Sequence, residues 1–535
     1  MWTQNYTPLN GSLALSALAA ALPLLVILLM LGLWRKPSWM AGLSGCAAAF
    51  VVALLVYQMP AGLAVSSALL GVANGILPIG WIVFSALILY RLTLETGKFE
   101  IIKDSVAHVT ADQRLQALLV AFAFGALIEG AAGFGTPVAV AAGMLAGLGF
   151  SPFYAAGICL VANTSPVAFG SIGAPLIMLA TVTGIPINDL SADVGRLCAP
   201  LSLFIPAYLV LLMGGMKALR AVAPAAAVCG IAFAGTQFLS SNFISPYLTD
   251  ILASLLALLA LVLLLRFWHP ADAPREERHL PHSMRELISA WSPYLLLVMF
   301  VLIWGPDAVK AVLNRAATWI IPWPGLHNLV QRVPPVVAQP GPYGATFTLN
   351  LLSASGTSCL FAVFAAAAFL RVSPSNLGKY TWMTAKQLAL PMVTISSVLG
   401  LAFLMNYSGA TATLGLVAAG TGKAFPFVGT FMGWLGVVLT GSDTSANALF
   451  GSLQEITANS LGLKPTLMAA ANSSGGVLGK MISLQNIAVA AAATGMAVSE
   501  ESKLFRFTLK HSLFLCAVMG LLVLFYTYVM PSWAI

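Results

Sequence analysis

The sequence predicts an all-α polytopic membrane protein, with about twelve to fourteen transmembrane helices in two inverted repeats with broken or re-entrant helices. Three observations carry this expectation. Charged residues make up only 8% of 535 positions, and hydrophobic types 59%. A soluble domain carries roughly 25% charged residues, so there are too few here to cover an aqueous surface. Apolar runs long enough to cross a hydrocarbon core, about 20 residues each, recur along the whole chain. Polar, glycine-rich interruptions of those runs come as a pair, one set in each half.

In chain order the apolar runs cover 12–34, 41–58, 66–90, 115–149, 152–182, 200–215, 222–240, 250–266, 288–304, 347–370, 386–404, 425–442, 466–495 and 511–530. Several are too long and too rich in Gly and Pro to be single continuous helices. The run 115–149 carries Gly125, Gly130, Gly133, Gly135 and Pro137, and Pro186, Pro200 and Pro206 punctuate the chain between 182 and 215. The longest hydrophilic stretch begins RFWHPADAPREERHLPHSMRE at residue 266. It divides the chain into a first transmembrane half, 1–265, a cytoplasmic linker, 266–287, and a second transmembrane half, 288–535. The proline-rich stretch 319–347 is expected on the outer face.

The net charge of +8 does not point to nucleic acid. Basic residues fall in short inter-helix segments (Arg35/Lys36, 91–114, Lys217/Arg220, 266–285, 371–386 and 503–510), the scatter expected of cytoplasmic loops. Residues 1–34 contain no Lys or Arg, so the basic start of a cleavable signal is missing. The first run ends at Arg35-Lys36, which predicts a periplasmic N-terminus. Six well-separated cysteines without a CxxC spacing read as reduced core residues. No metal site or cofactor is implied.

The chemistry is concentrated in the interruptions. Glu129 lies in GALIEGAAGFGTP, which also holds Gly133 and Gly135, and 34 residues later comes Asn163-Thr164-Ser165. Asp443 lies in LTGSDTSANALFG between Ser442 and Thr444, and 29 residues later comes Asn472-Ser473-Ser474. Such paired, interrupted segments are the sequence pointer to a transporter site at a repeat interface. A carboxylate at the bilayer centre costs on the order of 3 kcal/mol, so Glu129 and Asp443 are proton-coupling candidates. The alternatives are a structural acid bonded to freed backbone and, for Asp443, a helix cap. The Asn and Ser/Thr clusters are candidate substrate ligands or, alternatively, joints between helices.

Lys480 is the only lysine inside an apolar, glycine-rich run, SSGGVLGKMISLQNIAV. It reads either as the cation for a substrate carboxylate or as a salt-bridge partner of Asp443 or Glu129. The phosphate-loop pattern fails, because Ser474 and Met481 stand where Gly and Ser/Thr are required. An inside-negative potential opposes anion entry by about 2.3 kcal/mol per charge per 100 mV. One proton carried with one carboxylate removes that penalty.

At these residues the chain resembles the lactate permease family. The segments that carry the likeness are ADQRLQALLV (111–120), GALIEGAAGFGTPVAV (125–140), PFYAAGICLVANTSPVAFGSIG (152–173), QFLSSNFISP (237–246), GWLGVVLTGSDTSANALF (433–450), ANSSGGVLGKMIS (471–483) and ESKLFRFTLKHS (501–512). The resemblance implies proton symport of L-lactate, D-lactate and glycolate across the bacterial inner membrane. Leu484 and Thr136 depart from the family pattern, where proline and alanine are usual. Two other readings fit the residues less well. A sodium-coupled dicarboxylate carrier wants a second deep cation. An intramembrane aspartyl protease wants an aspartate dyad, whereas Asp443 pairs only with Glu129.

Overall fold

The computed structural model describes residues 1–133, 135–272, 282–497 and 500–535. Among them, 10 helices are long and apolar enough to cross a membrane, or up to 12 when each of two bent helix pairs is one span. The longest, Ile187–Ile244, is two rods. Gly215 adopts φ +65°, ψ −163°, a conformation open to glycine and closed to side chains, and the helix breaks there. So divided, the candidate crossings number 11, or up to 13 with both bent pairs, against the expected twelve to fourteen. The chain is a multi-pass membrane protein.

The lipid-facing logic is visible in the first span, Leu13–Leu33. Leu15, Leu18, Leu22 and Leu25 are exposed, while Ala20, Leu24 and Ile27 are buried. Water would penalise such a surface, and hydrocarbon does not. Inside the bundle, small residues let helix axes approach. One such close approach joins Phe425–Thr440 to Pro465–Gly479. A Cβ on Gly433 would stand 1.9 Å from the Asn472 carbonyl oxygen, and one on Gly475 2.1 Å from that of Thr430.

Several boundaries differ from the sequence expectation. The run 115–149 is two helices, Gln113–Ala131 and Thr136–Gly147, because Gly133 and Gly135 turn the chain with positive φ. The run 347–370 starts as a strand, and its helix is Ser355–Phe369. Helix Asp443–Leu461 is an addition, since its polar sequence hides a buried element.

The all-α expectation also meets a small exception in the 319–347 region. Thr318–Pro322 pairs antiparallel with Thr346–Asn350. Val330–Arg332 pairs antiparallel with Gly341–Tyr343 and parallel with Trp2–Thr3. The N-terminus and this proline-rich region therefore share one face. Arg114 and Asp272, joined at 2.9 Å, lie at the other, where Leu13–Leu33 delivers Arg35 and Lys36. Residues 273–281 of the expected linker lie outside the described residues. All six cysteines are unpaired and five are buried.

Candidate functional site

Four breaks in the backbone converge. In the first half, Gln113–Ala131 carries Glu129 two residues before its end. Helix Pro152–Ala162 stops at Asn163 and resumes at a 64° bend. Ser171, Ile172 and Gly173 there are consecutively left-handed. The conformation costs roughly 1–2 kcal/mol for a residue with a Cβ, and strain of this kind clusters at functional sites. In the second half, Gly441 (φ +73°) ends Phe425–Thr440. Ser442 then caps Asp443–Leu461 by accepting from the Ser445 amide at 3.3 Å. The cap is thus Ser442, while Asp443 occupies the first turn, where a negative charge meets the positive helix end. Helix Pro465–Gly479 passes through Lys480–Ile482 into Leu484–Thr494 with a 44° bend.

Between these breaks lies a cavity of about 80 Å³. Of the residues singled out in the sequence, Glu129, Gly135, Ser442, Asp443, Thr444 and Lys480 line it. Both acids and the lysine therefore face one space, although Glu129 is hundreds of residues from the other two.

The polar contacts are specific. Lys480 Nζ meets Glu129 Oε1 at 2.7 Å, with both side chains more than nine-tenths buried. Asn163 Nδ2 donates to Glu129 Oε2 at 2.9 Å. Asp443 Oδ2 accepts from Ser473 Oγ at 2.6 Å and from Asn447 Nδ2 at 3.4 Å. Its Oδ1 has no partner among the described residues. Asn472 donates to Asn447 Oδ1 at 2.9 Å and accepts from Gln454 Nε2 at 3.3 Å. Asn163 and Ser473 thus hold the acids from behind, and Asn472 holds Asn447.

The other candidates stand off the cavity. Thr164 Oγ1 bonds its own helix at the Val161 carbonyl, 2.8 Å away. With Ser165 it lines a separate void of about 10 Å³. Ser474 accepts from the Cys198 thiol at 3.5 Å. Gly133 is where Ser171 packs: a Cβ there would lie 2.0 Å from Ser171 Oγ.

Sequence reasoning missed Ser171, Gln485 and Asn486, which line the cavity. It also missed Asp250, 1% exposed, neither of whose carboxylate oxygens has a partner among the described residues. Asp250 sits at the first residue of an apolar run, where a charge reads as an interface residue. Its side chain nevertheless packs beside Gly130, whose added Cβ would lie 2.8 Å from Asp250 Cβ.

The family model described as L-lactate permease matches residues 16–530. The chain belongs to that family. An L-lactate permease of Bacillus subtilis is 44% identical over the whole of both chains. Glycolate permease GlcA of Escherichia coli is also 44% identical, over 99% of this chain and 98% of its own. An L-lactate permease of Escherichia coli is 43% identical over the whole of both. Among solved structures, the YdaH transporter of Alcanivorax borkumensis aligns over 87% of this chain and 88% of that one, at 16% identity and TM-score 0.47.

Proposed function

We propose that this permease-family chain is a secondary active importer of 2-hydroxymonocarboxylates, L-lactate together with D-lactate and glycolate, driven by proton symport across a bacterial inner membrane. The substrate class is that of the relatives named L-lactate and glycolate permeases. The observation that carries the coupling is the Lys480–Glu129 pair on the cavity wall.

A substrate carboxylate entering this low-dielectric space needs a compensating charge. The deep lysine that offers one is already held by Glu129. Pulling the pair apart unaided leaves two uncompensated buried charges, and breaking a buried pair by removing one partner costs about 3–5 kcal/mol. A proton on Glu129 removes that obstacle. Glu129 becomes a neutral acid, Lys480 is released, and the substrate carboxylate replaces the glutamate one for one. Proton and anion then move together as a neutral load, so the membrane potential no longer opposes entry. The free Oδ1 of Asp443 supplies an acceptor for the substrate hydroxyl or a second proton position.

The two halves, 1–265 and 288–535, are read as inverted repeats about this site. In support, each half contributes an acid beside a glycine turn and an Asn-(Ser/Thr)-Ser segment on a bent helix pair. The basic pair Arg35-Lys36 after the first span supports a periplasmic N-terminus.

The test is uptake of labelled lactate by reconstituted vesicles. An inward proton gradient should drive accumulation, and a sodium gradient at equal pH should not. Accumulation driven by sodium alone would overturn proton coupling. Absence of lactate and glycolate uptake under both gradients would overturn the substrate.

A further inference from the structure

A larger cavity, about 460 Å³, opens near the strand-bearing face, with Asn188, Asn242, Pro246, Tyr247 and Lys310 in its wall. It is a polar vestibule whose cationic group, Lys310, suits an approaching anion. One turn of backbone separates this vestibule from the inner cavity. A Cβ on Gly173 would stand 3.3 Å from the Pro246 carbonyl oxygen and 3.5 Å from the Tyr247 ring. Ser171, two residues earlier, already lines the inner cavity.

Asp250 follows this boundary in the chain, behind the linings of both cavities. It comes three residues after Tyr247, in the first turn of helix Thr249–Phe267. Its Cβ packs against Gly130, the residue after Glu129. It is 1% exposed, and both of its oxygens lack partners among the described residues. The ionisable groups whose charge reaches it are Glu129 and Lys480, and its own charge reaches the Cys198 thiol. Glu129, by contrast, has both oxygens engaged, Oε1 by Lys480 and Oε2 by Asn163. A proton arriving at Glu129 has to displace a bond. At Asp250 it can be accepted and released without breaking one.

We propose that Asp250 is the proton-transfer residue between the strand-side vestibule and Glu129. A proton from vestibule water binds one Asp250 oxygen. The resulting O–H hands it to a Glu129 oxygen as Lys480 withdraws, and Asp250 returns to a carboxylate that the vestibule protonates again. Chains of intramembrane carboxyls serve in this way where protons cross a bilayer. The inference rests on the proton-symport reading of this site.

The experiment compares Asp250→Asn and Asp250→Glu with the unmodified chain in the same vesicles. Proton-gradient-driven lactate uptake should slow by roughly tenfold or more in the Asn variant, the scale at which a positioned proton-transfer group acts. Lactate exchange at equal pH on both sides should persist, because Glu129 then keeps its proton. The Glu variant should recover part of the uptake. Unchanged uptake in Asp250→Asn overturns the proposal, as does equal loss of uptake and exchange without rescue by Glu. Should the Asn variant fail to reach the membrane, Asp250→Ser poses the same comparison. Infrared difference spectra on a pH step, recorded without substrate, give an independent readout. A carboxyl band present in the unmodified protein should vanish in the variant, and its persistence counts against Asp250. If the unmodified chain itself fails to accumulate lactate, it is the symport reading that falls.

Discussion

In the proposed mechanism Lys480 exchanges one carboxylate for another, that of Glu129 for that of the substrate. Removing the lysine should therefore weaken substrate binding strongly. A lost charged hydrogen-bond partner costs about 1.5–3 kcal/mol, or roughly 10- to 150-fold in affinity. Lys480→Gln should raise the half-saturation concentration for lactate by that factor in initial-rate measurements, and Lys480→Arg should rescue it partly, since the planar fork fits differently. The double variant Glu129→Gln, Lys480→Gln separates this role from simple neutralisation. It should bind as weakly as Lys480→Gln alone, and recovery of near-normal affinity would show that Lys480 serves only Glu129. At this scale much is legible in the sequence. A charge inside an apolar run stands out, so Glu129, Asp443 and Lys480 declare themselves. Which acid the lysine meets does not, because the contact spans 351 positions in sequence. Asp250 is hidden by its place at the edge of a run.

Helices approach here through glycines whose absent side chains leave room for a neighbour's backbone. Gly433→Ala would drive a Cβ to 1.9 Å from the Asn472 carbonyl oxygen, and backbone cannot retreat as a flexible side chain can. Overpacking of this severity costs about 3 kcal/mol or more. The variant should show a clearly lowered melting temperature in detergent and reduced recovery of monodisperse protein. Gly235→Ala is the contrast, because nothing lies within 4 Å of its added Cβ. A helix-interior glycine replaced by alanine gains roughly 0.5–1 kcal/mol, so this variant should melt at the same temperature or slightly higher. Continuous apolar spans are readable from hydropathy alone. Helix Asp443–Leu461 is not, since its buried residues include Asp443, Ser445, Asn447, Ser452, Gln454 and Thr457. Apart from Ser445, those side chains bond one another and the neighbouring backbone, so polarity there signals a buried element rather than a loop. The strands of 318–350 are hard to read for a related reason: they are short and pair over long sequence distances.

Across the whole molecule, the pairing of Trp2–Thr3 with Val330–Arg332 ties the N-terminus to the strand-bearing face and leaves the basic loops opposite. With the positive side in the cytoplasm, a cysteine introduced at Asn5 should react with a membrane-impermeant maleimide in intact cells. One introduced at Lys36 should react only after permeabilisation, and the reverse pattern would invert the topology. The distribution of Arg and Lys supplies this orientation as a sequence expectation, whereas convergence of the four breaks on one cavity requires the packed helices. That convergence is the physical basis of the proposed exchange of carboxylates on Lys480. It is probed by reconstituting Glu129→Gln and measuring proton-gradient-driven accumulation and substrate exchange of labelled lactate in the same vesicles. With a neutral side chain at 129, Lys480 stays available to substrate without a proton. Exchange should therefore continue while accumulation against a concentration gradient disappears. Accumulation by Glu129→Gln at the level of the unmodified chain would contradict the assignment of Glu129 as the group that links proton to substrate.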